Sequence, residues 1–124
     1  MDLEFECDPR NVAVARHAAA DLARRVGAPA DDVKIAVSEA VGNAVLHAYR
    51  DGLIGKIRVR GWHARDRLLI TVEDQGIGMT PHPDNPGLRM GIPIITKLCD
   101  DVRFASSDRG TMISMSFPAA VRAS

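Results

Sequence analysis

Two short stretches of the chain bring together residue types that can do chemistry. The first, EDQGIGM at 73–79, places Asp74, Gly76 and Gly78 directly after an apolar run. Glycine contributes no packing and loses more conformational freedom on folding than other residues, so two of them at a strand end need a reason. One interpretation is a tight turn, and the other is a backbone kept bare so that a ligand can approach it closely.

The second stretch, SEAVGNAVLHAY at 38–49, lies in a segment with helical periodicity. Glu39, Asn43 and His47 recur every four residues and form a polar ridge on that helix. The ridge borders an apolar stripe formed by Val33, Val37, Ala40 and Ala44, with Ala36, Val41 and Ala48 at its edges. A carboxylate and an amide at the boundary of a core are costly unless something satisfies them. They indicate either an intrahelical hydrogen-bond network or a site where Asn43 binds a hard cation and Glu39 acts as a base.

The first half of the chain supplies a strand and two helices around this ridge. LEFEC at 3–7 alternates apolar and acidic residues, which predicts a half-buried strand. Asp8 and Pro9 predict an N-cap and a first helical position, and the helix then runs over 10–26 and ends at Gly27. The second helix begins near 29–34 and continues to about Tyr49.

The second half predicts four strands and one short helix. KIRVRGW at 56–62 and RLLITVE at 67–73 predict strands joined by a hairpin turn at 63–66. A loop rich in Gly, Pro and Asp follows over 75–89, and MGIPIITKLCD at 90–100 predicts a short helix with Pro93 in its first turn. DVRFAS and TMISMSF predict two last strands. The order β-α-α-β-β-loop-α-β-β predicts an α+β fold with helices layered on one face of a mainly antiparallel sheet.

Composition narrows the class of protein. With 124 residues, 46% of them hydrophobic and 26% charged, we expect a single domain over 1–124. Sixteen basic residues balance sixteen acidic ones, so charge indicates neither a nucleic-acid partner nor a membrane surface. The start of the chain lacks the pattern of a leader, and we predict a cytoplasmic protein. Cys7 and Cys99 are expected to be small buried hydrophobes rather than a disulfide or a metal site.

Together, the helix motif E-A-V-x-N-A-V-x-H-A-Y, the D-x-G-x-G motif and the element order resemble the GHKL or Bergerat-type ATP-binding superfamily. Within it the chain is most similar to the anti-sigma factor serine kinases, and the resemblance covers nearly the whole chain. It implies a two-layer α/β sandwich of the histidine-kinase-like ATPase type. It also implies a protein serine/threonine kinase that uses ATP and Mg²⁺, binds a sigma factor, phosphorylates an antagonist protein of the STAS type and forms a homodimer.

The resemblance also implies roles for matching residues. Asn43 would bind Mg²⁺ through its side-chain oxygen, and Glu39 would be the base for the attacking hydroxyl. Asp74 would accept a hydrogen bond from the adenine amino group, and Gly76 and Gly78 would let the backbone pass close to the base and ribose.

Four further residues match the family pattern. Gly110 and Thr111, late in the chain, would close the adenine pocket. His47 and Tyr49 belong to the helix motif, and we expect a structural role for both. The stretch GLRMGIPII at 87–95 supplies Gly91 to a phosphate-binding turn at a helix start, with Arg89 where the family has another glycine. Arg89 is either a phosphate contact or a solvated loop residue.

Two other functions stay open on the sequence. A non-catalytic, nucleotide-gated interaction module is favoured by Arg89 and by the short lid, eight residues with three prolines between Gly78 and Gly87. A catalytic domain of the two-component histidine kinase kind would need a helical segment with a phospho-accepting histidine. Residues 1–8 leave little room for one, and His17 is expected at the surface. If the protein dimerises, we expect the interface at the first strand and first helix.

Overall fold

The element order of the folded chain is the one predicted from the sequence. The computed structural model describes residues 1–51, 55–74, 93–107 and 110–121. Its elements are β1 (Asp2–Glu6), α1 (Arg10–Val26), α2 (Ala30–Asp51), β2 (Lys56–Ala64), β3 (Arg67–Asp74), α3 (93–98), β4 (Asp101–Ser107) and β5 (Gly110–Pro118). Pro93 is the first residue of α3, where its missing N–H costs no helical hydrogen bond.

Helix α1 begins and ends with the signals that the sequence carries. The Asp8 carboxylate accepts a hydrogen bond from the backbone N–H of Arg10 at 2.9 Å, and Pro9 already has helical dihedral angles, with φ −54° and ψ −29°. Gly27 takes the left-handed conformation, with φ 71°, and its N–H bonds back to the carbonyl of Ala23. The predicted start and stop are therefore confirmed.

The five strands form one sheet in the order β1-β2-β3-β5-β4, and every neighbouring pair is antiparallel. The β2–β3 hairpin turns at Arg65 and Asp66, inside the predicted segment, and Arg65 has a positive φ of 55°. The strand pair at the centre, β3 with β5, joins segments nearly forty residues apart, so local sequence patterns do not predict it.

The helices pack on one face of this sheet and enclose the core. Helix α1 contacts β1 and β2, while α2 contacts α1 and β3. The sheet contributes alternate residues to the core, namely Ile57, Val59, Leu68, Ile70, Val72, Ile113, Met115 and Phe117. Within residues 30–46 of α2, the buried apolar residues are Val33, Ala36, Val37, Ala40, Val41 and Val45, whereas Ala44 is partly buried. The buried side of α2 is thus broader than the predicted stripe, because this helix packs against α1 as well as against the sheet.

The other face of the sheet exposes large apolar side chains. Among the described residues no helix packs on it, and the side chains of Trp62 and Leu69 are 43% and 38% exposed. Cys7 and Cys99 are free thiols that pack against the core, half-buried rather than fully buried as expected. Within the described ranges, no helix is long and apolar enough to cross a membrane.

Candidate functional site

A buried carboxylate marks one end of the sheet. Asp74 is the last residue of β3 and its side chain is 4% exposed, on the helix-facing side of the strand with Val72 and Ile70. Burying a carboxylate is costly unless polar groups compensate it, so such a residue at a strand end is a candidate for ligand recognition. Its direct neighbours across the sheet are Ile57 on β2 and Thr111 on β5.

Residues at the start of β5 complete this end of the sheet. The hydroxyl oxygen of Thr111 is buried and has no hydrogen-bond partner among the described residues. Gly110 is buried, with a φ of 140° that side chains other than glycine rarely adopt. A carboxylate acceptor and an unsatisfied hydroxyl therefore face the same space. A ligand that presents an amino group beside ring nitrogens, as adenine does, would donate a hydrogen bond to the carboxylate and accept one from the hydroxyl.

The polar ridge of α2 lies at the edge of the core, as predicted. Glu39 and Asn43 are half-buried and one helical turn apart, on the helix that contacts β3. The hydroxyl of Ser38 donates to the carbonyl of Lys34 at 2.7 Å, so this side chain is occupied within the helix. Glu39 and Asn43 therefore lie at a boundary between core and solvent.

The side-chain oxygens of this site suit a cation that is already bound to the ligand. No group of three or more His, Cys, Asp or Glu side chains with metal-binding geometry occurs in the described parts of the chain. Mg²⁺ is commonly held by one or two protein oxygens together with waters and substrate phosphates, so a single amide oxygen from Asn43 suits a nucleotide-bound Mg²⁺.

Cys7 lies beside Asp74, which the sequence analysis did not anticipate. The N–H of Cys7 donates to the carbonyl of Gly55 at 3.2 Å, just beyond the paired residues of β1 and β2. Burial in the first place, and the negative charge of Asp74 in the second, raise the pKa of Cys7 to about 11. The pairing of Phe5 with Ile57 and of Ile57 with Asp74 brings the end of β1 here, and no local pattern reveals that pairing.

Several predicted site residues are not part of the described chain. Glu39, Asn43, Asp74, Gly110 and Thr111 are described, and the last three lie together at one end of the sheet. The residues that lie outside the described part are Gly76, Gly78, Arg89 and Gly91, together with the side chains of His47 and Tyr49.

Comparison with known families assigns this fold. Residues 5–117 match the family model described as the Histidine kinase-like ATPase domain. The chain belongs to this family. The match confirms the resemblance and the α+β fold class predicted from the sequence. Because the family is one of ATPase domains, its nucleotide is ATP.

The chain is also similar in sequence to curated bacterial proteins. The chain is 32% identical to "Serine-protein kinase RsbW" of Bacillus licheniformis, in an alignment that covers 93% of this chain and 82% of the relative. It is 33% identical to "Anti-sigma F factor" of Clostridium novyi, over 93% of this chain and 91% of the relative.

A solved structure also resembles the chain. The histidine kinase domain of a blue-light activated histidine kinase from Erythrobacter litoralis superposes with a TM-score of 0.58 and 27% sequence identity. The superposition covers 73% of this chain and 45% of the histidine kinase chain, so the chain spans less than half of that structure. The likeness lies in the ATP-binding fold.

Proposed function

We propose that the protein is an anti-sigma regulatory factor with ATP-dependent serine/threonine-protein kinase activity, acting as a single nucleotide-binding domain. The observation that carries the proposal is the buried Asp74 facing Thr111, with Glu39 and Asn43 half-buried on the helix packed against β3. The relatives named serine-protein kinase RsbW and anti-sigma F factor support it, because they align with nearly the whole chain.

The end of the sheet recognises the base. The Asp74 carboxylate accepts a hydrogen bond from the adenine amino group, and the Thr111 hydroxyl takes part in the same contact. Gly110, whose backbone has a positive φ, leaves no Cβ to obstruct the base. Gly76 and Gly78 let the following loop pass close to the base and ribose.

The polar ridge of α2 acts at the phosphates of ATP. Asn43 would hold Mg²⁺ through its side-chain oxygen, and the ion would supply positive charge beside the phosphates of ATP. Gly91 and Arg89 contact the phosphates from the start of the following helix. These contacts position the γ-phosphate, and positioning with electrostatic stabilisation accounts for most catalysis of phosphoryl transfer.

Glu39 is the base for the substrate hydroxyl. In the transfer step, a bond forms between the serine oxygen of the protein substrate and the γ-phosphorus. The bond from the γ-phosphorus to the β–γ bridging oxygen breaks, ADP leaves, and the hydroxyl proton passes to Glu39.

Partners follow from the same proposal. The protein binds a sigma factor, and the phosphate acceptor is an antagonist of the STAS type. The protein also forms a homodimer. Because a sigma factor acts where transcription occurs, the protein works in the cytoplasm.

A phosphotransfer assay tests this function. The protein is incubated with Mg²⁺, γ-labelled ATP and each STAS-type protein encoded in the same genome, and label on the STAS protein is followed. We expect transfer to one of them, and Glu39→Gln should lower its rate by about a hundredfold or more while ATP binding persists. Glu4→Gln, on the exposed side of β1, is the matched control and should transfer at the wild-type rate. Transfer that is undiminished in Glu39→Gln would remove the assigned base.

The second candidate is a non-catalytic module in which the nucleotide only sets the partner-binding surface. Arg89 and the three prolines of the short lid favour it. Nucleotide-dependent binding of a sigma factor, without label transfer to any STAS protein, would support this module over the kinase.

A further inference from the structure

Two exposed aliphatic side chains lie on the outer side of α2, the side turned away from the core. Ile35 is 46% exposed and Leu46 is 49% exposed, whereas Val37 and Val41 on the inner side are fully buried. Ile35 and Leu46 are about three helical turns apart, so they point in nearly the same direction and lie roughly 16 Å from each other along the helix axis.

Glu39 and Gly42 lie between these two side chains on the same side of the helix. Glu39 follows Ile35 by one turn, and Gly42 precedes Leu46 by one turn, so the four residues form an outer stripe along α2. Isolated apolar residues on a surface need no explanation, but these two flank the residue assigned as the base for the substrate hydroxyl. A protein that approaches Glu39 from solvent therefore meets Ile35 on one side and Leu46 on the other.

Packing within the described chain does not explain the glycine of the outer stripe. A Cβ built at Gly42 would meet no atom within 4 Å, so the space beside it is open. Glycine is a poor helix former, and α2 would be more stable with alanine at this position. Glycine also allows another chain to approach the helix backbone closely. A partner that packs across the stripe between Ile35 and Leu46 accounts for a glycine there.

The charge of this part of α2 indicates the kind of partner that fits. Residues 30–46 contain three acidic residues, Asp31, Asp32 and Glu39, and one basic residue, Lys34. A second copy of the chain would present the same acidic surface, and like charges oppose such a contact. The outer stripe suits a different protein, one that presents apolar side chains with a basic residue near them.

The catalytic step identifies that protein as the phosphate acceptor. For transfer, the serine oxygen of the acceptor must come within about 2.6–3.2 Å of the Glu39 carboxylate, or reach it through one water. A specific protein interface involves roughly 20–30 residues on each side, so a folded acceptor cannot contact Glu39 alone. It must also cover the helical turns before and after Glu39, which are the turns that carry Ile35 and Leu46.

We propose that the outer stripe is the docking surface for the protein that receives the phosphoryl group, and that this protein presents apolar side chains on both sides of its serine. The inference rests on the proposed kinase function and extends it from the reacting groups to the choice of substrate. Ile35 and Leu46 bind the acceptor equally before and during transfer, so they determine KM and leave kcat unchanged. A protein with charged side chains beside its serine is rejected, because it would bury them against Ile35 and Leu46.

Steady-state kinetics of label transfer to the STAS-type acceptor test this surface. Ile35→Lys and Leu46→Lys should each raise the KM for the STAS protein by about tenfold or more, with kcat and the affinity for ATP unchanged. Gly42→Gln should also raise this KM, yet it should not lower stability in urea, because glutamine is a better helix former than glycine. The matched control is Val121→Lys, because Val121 is 51% exposed near the β2–β3 hairpin and should leave KM unchanged.

Titration of each STAS-type protein of the same genome, in the presence of Mg²⁺ and ADP, measures docking without transfer. A Kd that rises in parallel with KM in Ile35→Lys and Leu46→Lys supports the docking surface. Wild-type values of Kd and KM in both variants would overturn it and leave the kinase function intact, and so would a lower kcat at unchanged KM. If the wild type binds a STAS protein but transfers no label, the kinase function fails, and weaker binding by the two variants still supports the surface. A wild type that neither binds nor labels any STAS protein would overturn both proposals.

Discussion

Gly27→Ala should destabilise the protein strongly, because two separate features of the structure require glycine there. Gly27 ends α1 with φ 71°, a conformation that costs roughly 1–2 kcal/mol for a residue with a Cβ. A Cβ built at this position would also lie 2.8 Å from the Cβ of Ala120 and 3.2 Å from its backbone nitrogen. The backbone of Ala120 and Val121 is fixed by N–H bonds to the carbonyls of Gly27 and Val26, each 3.0 Å long.

The magnitude follows from these terms. Moving the segment away from a new Cβ would weaken two hydrogen bonds, each contributing about 0.5–1.5 kcal/mol. Alanine also restricts the unfolded chain, which offsets about 0.4–1 kcal/mol. We therefore expect Gly27→Ala to lower the free energy of unfolding by about 2–4 kcal/mol.

Gly42→Ala is the matched control with the opposite sign. Gly42 lies in the middle of α2, and a Cβ added there meets nothing within 4 Å. Since alanine is the better helix former, the free energy of unfolding should rise by about 0.5–1 kcal/mol.

Urea unfolding followed by far-UV circular dichroism, at one fixed protein concentration, measures both changes. The double variant Gly27→Ala/Ala120→Gly removes the Cβ–Cβ contact and should recover part of the lost stability, while the strained φ and the 3.2 Å contact with the backbone nitrogen remain. A Gly27→Ala protein within about 0.5 kcal/mol of the wild type would refute this reasoning.

Three further predictions concern single side chains. Thr111→Val should lower the affinity for ATP by about tenfold in calorimetry. The free energy of unfolding in urea should stay equal or rise slightly, because the change removes a buried hydroxyl with no partner among the described residues. A loss of stability with unchanged affinity would contradict this prediction. Burial raises the pKa of Cys7 to about 11 and that of Cys99 to about 12. At about pH 8 both thiols should therefore react with iodoacetamide at least about a hundredfold more slowly in the folded protein than in urea, as measured by mass spectrometry. Equal rates would show that the thiols are not shielded. Hydrogen bonds from Arg10 lower the pKa of Asp8 to about 2 from its ordinary value of 3.8, so the stability that the Asp8 carboxylate contributes is present above 3.8 and is lost as the pH falls towards 2. The difference in Tm between wild type and Asp8→Asn should therefore be seen at about pH 5 and vanish near pH 2, and a difference that is the same at both would contradict the assignment.

The elements were predictable because their signals are local. Asp8, Pro9 and Gly27 delimit α1, and the alternation of apolar residues in β2 and β3 marks both strands and their hairpin. The pairing of β3 with β5 is a contact between distant segments, and it depends on packing rather than on any short pattern.

The candidate site was predictable to the extent that it matches a motif. Asp74, Gly110 and Thr111 come from two strands, and the resemblance to a family, not their spacing, placed them together. The position of Cys7 beside Asp74 depends on the register of β1 with β2, which period-2 patterns do not fix. The exposure of Trp62 on the face of the sheet away from the helices depends on the same information, since alternation shows that a strand has two faces but not which one the helices cover.

Calorimetric titration with ATP and ADP, with and without Mg²⁺, tests directly whether the site binds a nucleotide. The wild type is compared with Asn43→Ala and Asp74→Asn. We expect saturable binding of ATP that Mg²⁺ strengthens and loss of the Mg²⁺ effect in Asn43→Ala. Asp74→Asn should bind ATP more weakly, because the amide is uncharged and replaces one of the two acceptor oxygens by an NH₂ donor. No binding by the wild type up to about millimolar nucleotide, or Asn43→Ala and Asp74→Asn curves that coincide with the wild type, would contradict it.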